Sequence, residues 1–229
     1  MVYTRDEVLK MCKDAFENIS TFYQADVINY RGITSDTVEL YNEIVAEFVL
    51  NNIDEFISGI NQIYRETTYK TSSHTGEKIP SDRRLEEKIA VEMFNISQQG
   101  ESLDYIGKII DYQTPLKNVA KDEAGKIDLL AYDGKALRIL ELKKPESDET
   151  MLRCVLEGFT YMATIKDKTR LLYDFDLPID TEIVACPFVF YNGKQYKEMQ
   201  ESRPNLKTLM QKLNSKPYYI KNDYSIVEG

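Results

Sequence analysis

Apolar residues recur every three or four positions in the first quarter of the chain. Between Arg5 and Tyr23 this spacing is kept by Val8, Cys12, Ala15, Ile19 and Phe22. The same spacing returns from Thr37 to Ile63, where Asn52 is a candidate N-cap for a further helix. Such a period places apolar side chains along one face of an α-helix. The pattern predicts two or three amphipathic helices in residues 1–63.

A polar stretch follows at residues 64–84, rich in Thr and Ser and locally basic. Its basic residues are Arg65, Lys70, Lys78, Arg83 and Arg84. Polar segments without a hydrophobic period are typical of loops and linkers. We predict a solvated linker here; the alternative is a flap that contacts phosphate.

Helix and strand patterns alternate through the rest of the chain. A helical stripe begins at Leu85, and a strand pattern covers Ile106 to Gln113. Later patterns predict two strands in residues 126–144, a helix in 148–165, a strand in 181–191, a short helix in 205–213 and one or two strands in 217–228. This order predicts an α/β fold with a mixed sheet. We expect an N-terminal helical region (1–63), a polar linker or flap (64–84) and an α/β core with a C-terminal extension (85–229).

Composition narrows the class of protein. The chain has 229 residues, 42% of them hydrophobic and 29% charged, which is enough to bury a sizeable core. No apolar run is as long as a membrane span. The first ten residues have no apolar stretch of the kind found in signal peptides, so we expect no secretory signal. Cys12, Cys154 and Cys186 are far apart, and His74 is the single histidine. These features argue against a disulfide framework, a Cys/His zinc site and Ser-His-Asp catalysis, and they predict a cytoplasmic protein without a membrane partner.

The acidic charge is unevenly distributed. The formal net charge is -9, and residues 1–63 alone contain 4 basic and 11 acidic residues. The remaining residues are close to neutral, with 25 basic and 27 acidic side chains. The overall charge therefore does not exclude a phosphate-binding cleft in the second part, and the acidic helices are a candidate docking surface for a basic protein partner.

One short stretch, KIDLLAYDGKALRILELKK at residues 126–144, carries charges inside two strand patterns. Asp133-Gly134 separates the two apolar runs, and this dipeptide predicts a β-hairpin with a two-residue type I′ turn. In that register Asp128 pairs with Ile139. The two strands then end together at the side where the charged residues lie.

The predicted register places Asp128, Glu141 and Lys143 on one face of the hairpin, because side chains alternate along a strand. The two acids meet diagonally, at about 7 Å between Cα atoms. A four-residue loop keeps this arrangement, whereas a three-residue loop moves Glu141 and Lys143 to the opposite face. The charges are either strand ends in water or a functional cluster, in which a cation or Lys143 offsets the repulsion between the acids.

Asp128, twelve intervening residues and Glu141-Leu142-Lys143, in a strand-turn-strand preceded by Gly125, resemble the signature of the PD-(D/E)XK nuclease superfamily. The elements predicted between Leu85 and Tyr191, a little under half of the chain, follow the order of that family's αβββαβ core. The resemblance implies a restriction-endonuclease-like core. It also implies a divalent-metal-dependent nuclease that hydrolyses phosphodiesters in nucleic acid, with DNA as the expected substrate. The proline usual before the first acid is replaced by Ile127.

The resemblance also assigns roles to residues. Asp128 and Glu141, with the backbone carbonyl of Leu142, would bind Mg²⁺ or Mn²⁺, and Lys143 would orient or help to deprotonate the attacking water. A further glutamate often comes from the preceding helix, where this chain offers Glu86 and Glu87. On a helical wheel Glu86 lies about 100° from Leu85, beside the apolar stripe, so we prefer it to Glu87.

Four further residues are weighed as contributors to the site. Gln113 and Lys144 are candidate substrate contacts, although Gln113 is more typical of a hydrogen-bonded edge residue and Lys144 of a solvated surface lysine. Glu157 and Tyr161 match the spacing of a Gln-x-x-x-Tyr pattern found in some family members, with Glu in place of Gln. Both fall opposite the apolar stripe of their helix, so we predict a solvated face for them.

A second function remains open beside the nuclease. The chain shows no evident basic, aromatic-rich surface for nucleic acid. A protein that keeps the nuclease fold without catalysis, and that docks a partner through its acidic helices in residues 1–63, is the alternative.

Overall fold

A mixed β-sheet forms the centre of the protein in the computed structural model, which describes residues 2–100, 102–118 and 125–229. The six strands found in these residues lie side by side in chain order. They are β1 (Lys108–Pro115), β2 (Lys126–Tyr132), β3 (Ala136–Leu142), β4 (Glu182–Phe190), β5 (Tyr218–Ile220) and β6 (Ile226–Glu228). Neighbours run antiparallel from β1 to β3 and from β5 to β6, and parallel from β3 to β5. The α/β prediction with a mixed sheet is confirmed at this level.

Helices precede, connect and follow the strands. They are α1 (Arg5–Phe16), α2 (Tyr41–Asn51), α3 (Ile53–Gly59), α4 (Leu85–Gln98), α5 (Met151–Thr164), α6 (Lys168–Asp174), α7 (Lys194–Gln200) and α8 (Pro204–Lys212). The helical spacing from Ile19 onward forms two 3₁₀ segments instead of continuing α1, namely Ile19–Gln24 and Asp26–Asn29. The sequence pattern did not predict α6 and α7. Asn52 does stand at the N-cap of α3, but its side chain donates back to the carbonyl of Phe48.

Both faces of the sheet are covered, which explains why β2 and β3 read as nearly continuous apolar runs. Leu130 and Ile139 face a core shared with α5, α8 and the N-terminal helices. Leu129 and Leu140 face the opposite side, where α4 packs. Alternate residues of each strand therefore enter two different hydrophobic clusters, and Asp128 and Glu141 belong to the α5 side.

The hairpin between β2 and β3 is wider than predicted. Tyr132 pairs with Leu137, so four residues separate this last pair instead of two. The Asp133 carboxylate accepts hydrogen bonds from the backbone N–H groups of Lys135 and Ala136, both at 2.9 Å. These bonds stabilise a four-residue loop. The predicted two-residue type I′ turn was therefore wrong. Because the change is by two residues, the facing of every side chain is retained.

Within residues 64–84, the part around His74 and Gly76 contacts β1. His74 Nδ1 lies 2.7 Å from Asp111 Oδ1, and the N–H of Gly76 donates to the hydroxyl of Tyr112. Within this segment only Asp82–Arg84 forms a helical turn, of the 3₁₀ type. The predicted boundaries at residues 63 and 84 stay a prediction.

Among the described residues, the helices are all too short or too polar to span a lipid bilayer.

Candidate active site

The two predicted acids lie where the β2–β3 ladder ends. The last pair of the ladder at this end is Leu129–Leu140, and the same register continued brings Asp128 opposite Glu141. The backbone N–H of Leu142 donates to Asp128 Oδ2 at 2.9 Å. The N–H and C=O of one strand residue point to the same side, so the Leu142 carbonyl also faces β2. The carboxylate of Asp128 thus stands in place of a backbone partner at the point where the strands separate.

Gln113 on β1 fixes the other oxygen of Asp128. Its Nε2 donates to Asp128 Oδ1 at 2.9 Å. Gln113 has φ of 50°, in the left-handed region that residues with a side chain rarely adopt inside a strand. Such a conformation costs on the order of 1–3 kcal/mol and persists where surrounding contacts hold it. The sequence made Gln113 a candidate substrate contact but favoured a hydrogen-bonded edge residue, and in the structure its amide bonds to Asp128.

Lys143 is the centre of a buried group of acids. Its Nζ lies 2.7 Å from Glu141 Oε1, 2.7 Å from Glu149 Oε2 and 2.8 Å from Glu157 Oε2. Lys143 is 5% exposed and Glu141 is 3% exposed. The predicted trio of Asp128, Glu141 and Lys143 therefore converges on one face, but the lysine is enclosed by three carboxylates and does not face open water.

Glu157 and Tyr161 are part of this buried group, so the prediction of a solvated face for them was wrong. The hydroxyl of Tyr161 donates to Glu157 Oε1 at 3.0 Å, and both residues are buried. The helical wheel assumed that one side of α5 is open. Instead Tyr23, from the first 3₁₀ segment, packs edge-on against Tyr161 with ring centroids 5.8 Å apart.

Helix α5 comes unusually close to the sheet beside Glu141. Gly158 is the residue of contact, because a Cβ added there would lie 3.3 Å from the Cβ of Glu141. The helix begins at Thr150, whose hydroxyl accepts a hydrogen bond from the N–H of Arg153. The sequence analysis did not identify Glu149 and Arg153 as members of the site. One feature of the sequence could have indicated Arg153: it is spaced i to i+4 from Glu157, and these two are the charged residues of an otherwise apolar helix.

Arg153 is the second cation of the group. Its Nε lies 3.1 Å from Glu149 Oε1 and 3.7 Å from Glu157 Oε2. Counting Asp128 and Glu141, four carboxyl groups share two cations. If all four were ionised, the group would carry two excess negative charges in a largely dry environment, which is unfavourable unless protons or an external cation reduce it.

The pKa directions follow from this imbalance. Burial, opposed in part by the charge of Lys143, raises the pKa of Asp128 to about 7. Burial and then the charge of Glu157 raise the pKa of Glu141 well above its ordinary value, and a proton on Glu141 can be shared with the carboxylate of Glu157. Burial alone would lower the pKa of Lys143, but Glu141 and Glu157 raise it well above its ordinary value. Lys143 is therefore an ammonium ion near neutral pH.

The first turn of α4 reaches the same end of β3. Glu86 Oε1 accepts a hydrogen bond from the backbone N–H of Lys144 at 3.0 Å. Glu87 instead forms an ion pair with Arg84. The geometry therefore places Glu86 next to the site, as the helical wheel predicted, while a metal-binding or catalytic role for it stays a prediction. The side chain of Lys144 is exposed.

The residues fit a divalent cation in their chemistry. Asp128, Glu141 and the Leu142 carbonyl offer hard oxygen atoms, the type that Mg²⁺ and Mn²⁺ prefer. Glu141 Oε2 is buried and meets no hydrogen-bond donor among the described residues. Within those residues no group of three or more His, Cys, Asp or Glu side chains is arranged to hold a metal. The fit therefore rests on two carboxylates and one backbone carbonyl.

Comparisons with known proteins gave no match. Neither the scan of protein-family models, nor the search of curated proteins, nor the search of solved structures found a counterpart of this chain. The nuclease resemblance stays a prediction that rests on the residues described above.

Proposed function

We propose that this protein is a divalent-metal-dependent phosphodiester hydrolase acting on nucleic acid, with DNA as the expected substrate and Mg²⁺ or Mn²⁺ as the expected cofactor. The observation that carries the proposal is the buried oxygen Oε2 of Glu141, which meets no hydrogen-bond donor in the part of the chain that the structure describes, in a group where four carboxyl groups share two cations. Most buried polar atoms in proteins have a hydrogen-bond partner, so a buried oxygen without one is a candidate ligand-binding atom. A divalent cation is the partner that its charge and its neighbours suit best.

Asp128, Glu141 and the carbonyl of Leu142 are the groups that would hold the metal. When bound, it would supply a Lewis acid that makes water nucleophilic and offsets charge on the phosphate. The chain's own contribution is orientation. Leu142 N–H and the Gln113 amide each fix one oxygen of Asp128, so this carboxylate is held in place before any ligand arrives.

Lys143 is suited to charge stabilisation more than to proton abstraction. Because Glu141 and Glu157 keep it protonated near neutral pH, its ammonium group would supply a positive charge beside the two acids that offsets charge on a bound phosphate. Glu149 and Arg153 hold the outer side of the cluster in place. Glu86 would add a carboxylate from the α4 side.

Activity is tested with labelled DNA and RNA, single- and double-stranded, in Mg²⁺ and in Mn²⁺. The variants are Asp128→Asn and Glu141→Gln, which remove charge without changing shape. Their matched controls are Asp180→Asn and Glu146→Gln, exposed residues of the same types. We expect metal-dependent cleavage by the wild type and both controls, and a loss of about 100-fold or more in the two site variants.

A second measurement does not depend on activity. Mn²⁺ should raise the thermal midpoint of the wild type and of both controls, and it should leave Asp128→Asn and Glu141→Gln unchanged. A wild type that neither cleaves any substrate nor responds to Mn²⁺ would sink the nuclease proposal.

One observation favours the alternative, a nuclease-like protein without catalysis. Lys143 is enclosed by Glu141, Glu149 and Glu157, as expected if its role is to neutralise buried acids. In that case the acidic helices of residues 1–63 would dock a basic protein partner, and the charge cluster would be structural. The absence of both cleavage and a Mn²⁺ response is the result that selects this alternative.

A further inference from the structure

Tyr191 lies at the same end of the sheet as the candidate active site. The carbonyl of Phe188 on β4 accepts the N–H of Lys143 at 3.1 Å, because β3 and β4 run parallel in register. Tyr191 follows three residues later, about 10 Å further along the strand direction. A nucleic-acid strand that crosses the C-terminal ends of β3 and β4 from the site would therefore pass Tyr191.

Two cavities adjoin Tyr191. One, of about 820 Å³, lies between α7, α8 and β5, and is lined in part by Tyr196, Tyr219 and Lys207. The other, of about 420 Å³, lies on the β5–β6 turn and is lined by Tyr191, Asn192, Lys221, Asn222 and Asp223. Tyr191 lines both cavities and is 38% exposed, so the two neighbouring compartments share this residue. We call this combined surface the Tyr191 groove.

The charged side chains that line the Tyr191 groove are three lysines and two acids. Lys207 and Lys221 form no ion pair with any residue that the structure describes. Lys216, in the larger cavity, pairs with Glu228 at 2.5 Å. Asp223, in the smaller one, is held by the N–H and hydroxyl of Ser225. Each compartment thus contains one lysine without an ion pair among the described residues, and in the smaller one the charge of Lys221 acts on Asp223.

The aromatic residues of the groove support one another. Tyr196 lies between Tyr191 and Tyr219, with ring centroids 4.5 Å and 4.9 Å away. The first pair of rings is tilted by 52° and the second meets edge-on at 86°. Tyr219 is buried, so the row of rings is anchored in the core, while Tyr191 is its exposed end. An exposed aromatic ring with a supported back, flanked by cations, is the arrangement that proteins use to stack nucleobases beside a phosphate chain.

We propose that the Tyr191 groove binds a single-stranded segment of nucleic acid, with one base stacked on Tyr191 and the flanking phosphates near Lys207 and Lys221. The inference rests on the proposed function and specifies its substrate class. A paired base in a duplex offers no free face to Tyr191, whereas an unpaired base does. Two compartments that share Tyr191 fit successive nucleotides.

Binding is measured without cleavage, by fluorescence anisotropy in EDTA, with labelled DNA of about 20 nucleotides in single-stranded and duplex form. An RNA strand of the same sequence is the third probe. The variants are Tyr191→Ala, Tyr191→Phe and Lys207→Ala/Lys221→Ala. Tyr173→Ala, an exposed tyrosine elsewhere, and Lys10→Ala/Lys168→Ala are the matched controls. Thermal melts verify that every variant is folded.

Tyr191→Ala should weaken single-strand binding about 5- to 100-fold, and Tyr191→Phe should bind like the wild type because the ring remains. Lys207→Ala/Lys221→Ala should reduce the slope of log K against log salt by about 1.4. Controls should bind as the wild type does, and the duplex should bind more weakly than the strand.

The groove proposal is wrong if Tyr191→Ala binds the single strand with wild-type affinity, or if the wild type does not bind it. The two proposals fail separately. If Tyr191→Ala binds normally while the wild type cleaves nucleic acid in Mg²⁺, the groove is wrong and the nuclease stands. If the strand binds through Tyr191 but no metal supports cleavage, the groove stands and the nuclease is wrong.

Discussion

Replacing Asp128 with Asn should stabilise the metal-free protein at neutral and higher pH. In the folded state, burial raises the pKa of Asp128 to about 7, whereas the unfolded chain has a value near 3.8. Between these values the folded state binds the extra proton, so wild-type stability falls as pH rises through this window. Asn does not titrate, and its carbonyl can still accept from Leu142 N–H.

The size of the effect follows from the pKa difference. A shift of about 3 units corresponds to about 4 kcal/mol at full effect. Asp128 keeps part of its side chain in contact with water, so screening reduces this, and we expect about 2 kcal/mol. The variant and the wild type should be equally stable at about pH 4, and the variant should gain steadily up to about pH 7 and stay ahead above it.

The assay is urea unfolding followed by circular dichroism, in EDTA, at intervals across this pH range. Asp180→Asn, an exposed change of the same type, controls for the altered net charge. Repeating the series with Mn²⁺ should reverse the order above neutral pH. Bound metal adds about 2.7 kcal/mol to the wild type at a hundred times its dissociation constant, and nothing to the variant.

Two results would refute the reasoning. A variant that is less stable than the wild type above neutral pH would mean that the Asp128 carboxylate is stabilised by a cation in the native state. A difference that does not change with pH would mean that Asp128 is not the group that titrates. Either result would remove the argument that the site is short of positive charge.

Three further perturbations test the surroundings of the site. Lys143→Met should destabilise the fold by about 3–5 kcal/mol in urea, since it leaves buried acids without their cation; adding Glu157→Gln should recover part of this, and an unchanged midpoint in the single variant would contradict the cluster. Asp133→Ala should cost about 1–2 kcal/mol at neutral pH. Burial would raise the pKa of Asp133, but Arg138 and two backbone N–H groups lower it to about 2, so the difference should shrink as pH falls from about 4 to about 2 in acid unfolding. Gly107→Ala should lower the free energy of unfolding by more than about 2 kcal/mol, because its φ is 78° and a Cβ would lie 2.3 Å from the carbonyl oxygen of Tyr132. The thermal midpoint should fall accordingly, and a midpoint equal to that of the wild type would show that this contact is not rigid.

The sequence predicted the convergence of Asp128, Glu141 and Lys143 because that convergence depends only on alternation along two strands. The turn type was wrong, yet the prediction survived, since two-residue and four-residue loops give the same facing. The alternation of side chains along a strand is therefore enough to predict which face of the hairpin each residue occupies. The length of the loop depends on hydrogen bonds within it, and here the two bonds to the Asp133 side chain favour the four-residue loop.

The environment of the site was not predictable in the same way. The wheel of α5 placed Glu157 and Tyr161 opposite the apolar stripe, which is correct for an isolated helix on a sheet. Their burial comes from Tyr23, more than 130 residues earlier in the chain. Likewise, the bond from Gln113 to Asp128 depends on a left-handed backbone that no side-chain pattern encodes. Contacts between distant segments decide such features, and periodicity does not record them.

The loop between β2 and β3 also sets a rule for how this protein can evolve. Two residues gained or lost there leave Asp128 and Glu141 on the same face, whereas one residue separates them. Descendants that keep the site should therefore differ in this loop by even numbers of residues. An odd change would have to be offset by a β-bulge, such as the register shift that β1 already contains between Ile109 and Asp111. Preservation of the site therefore depends on the length of the β2–β3 loop as well as on the identity of the site's side chains.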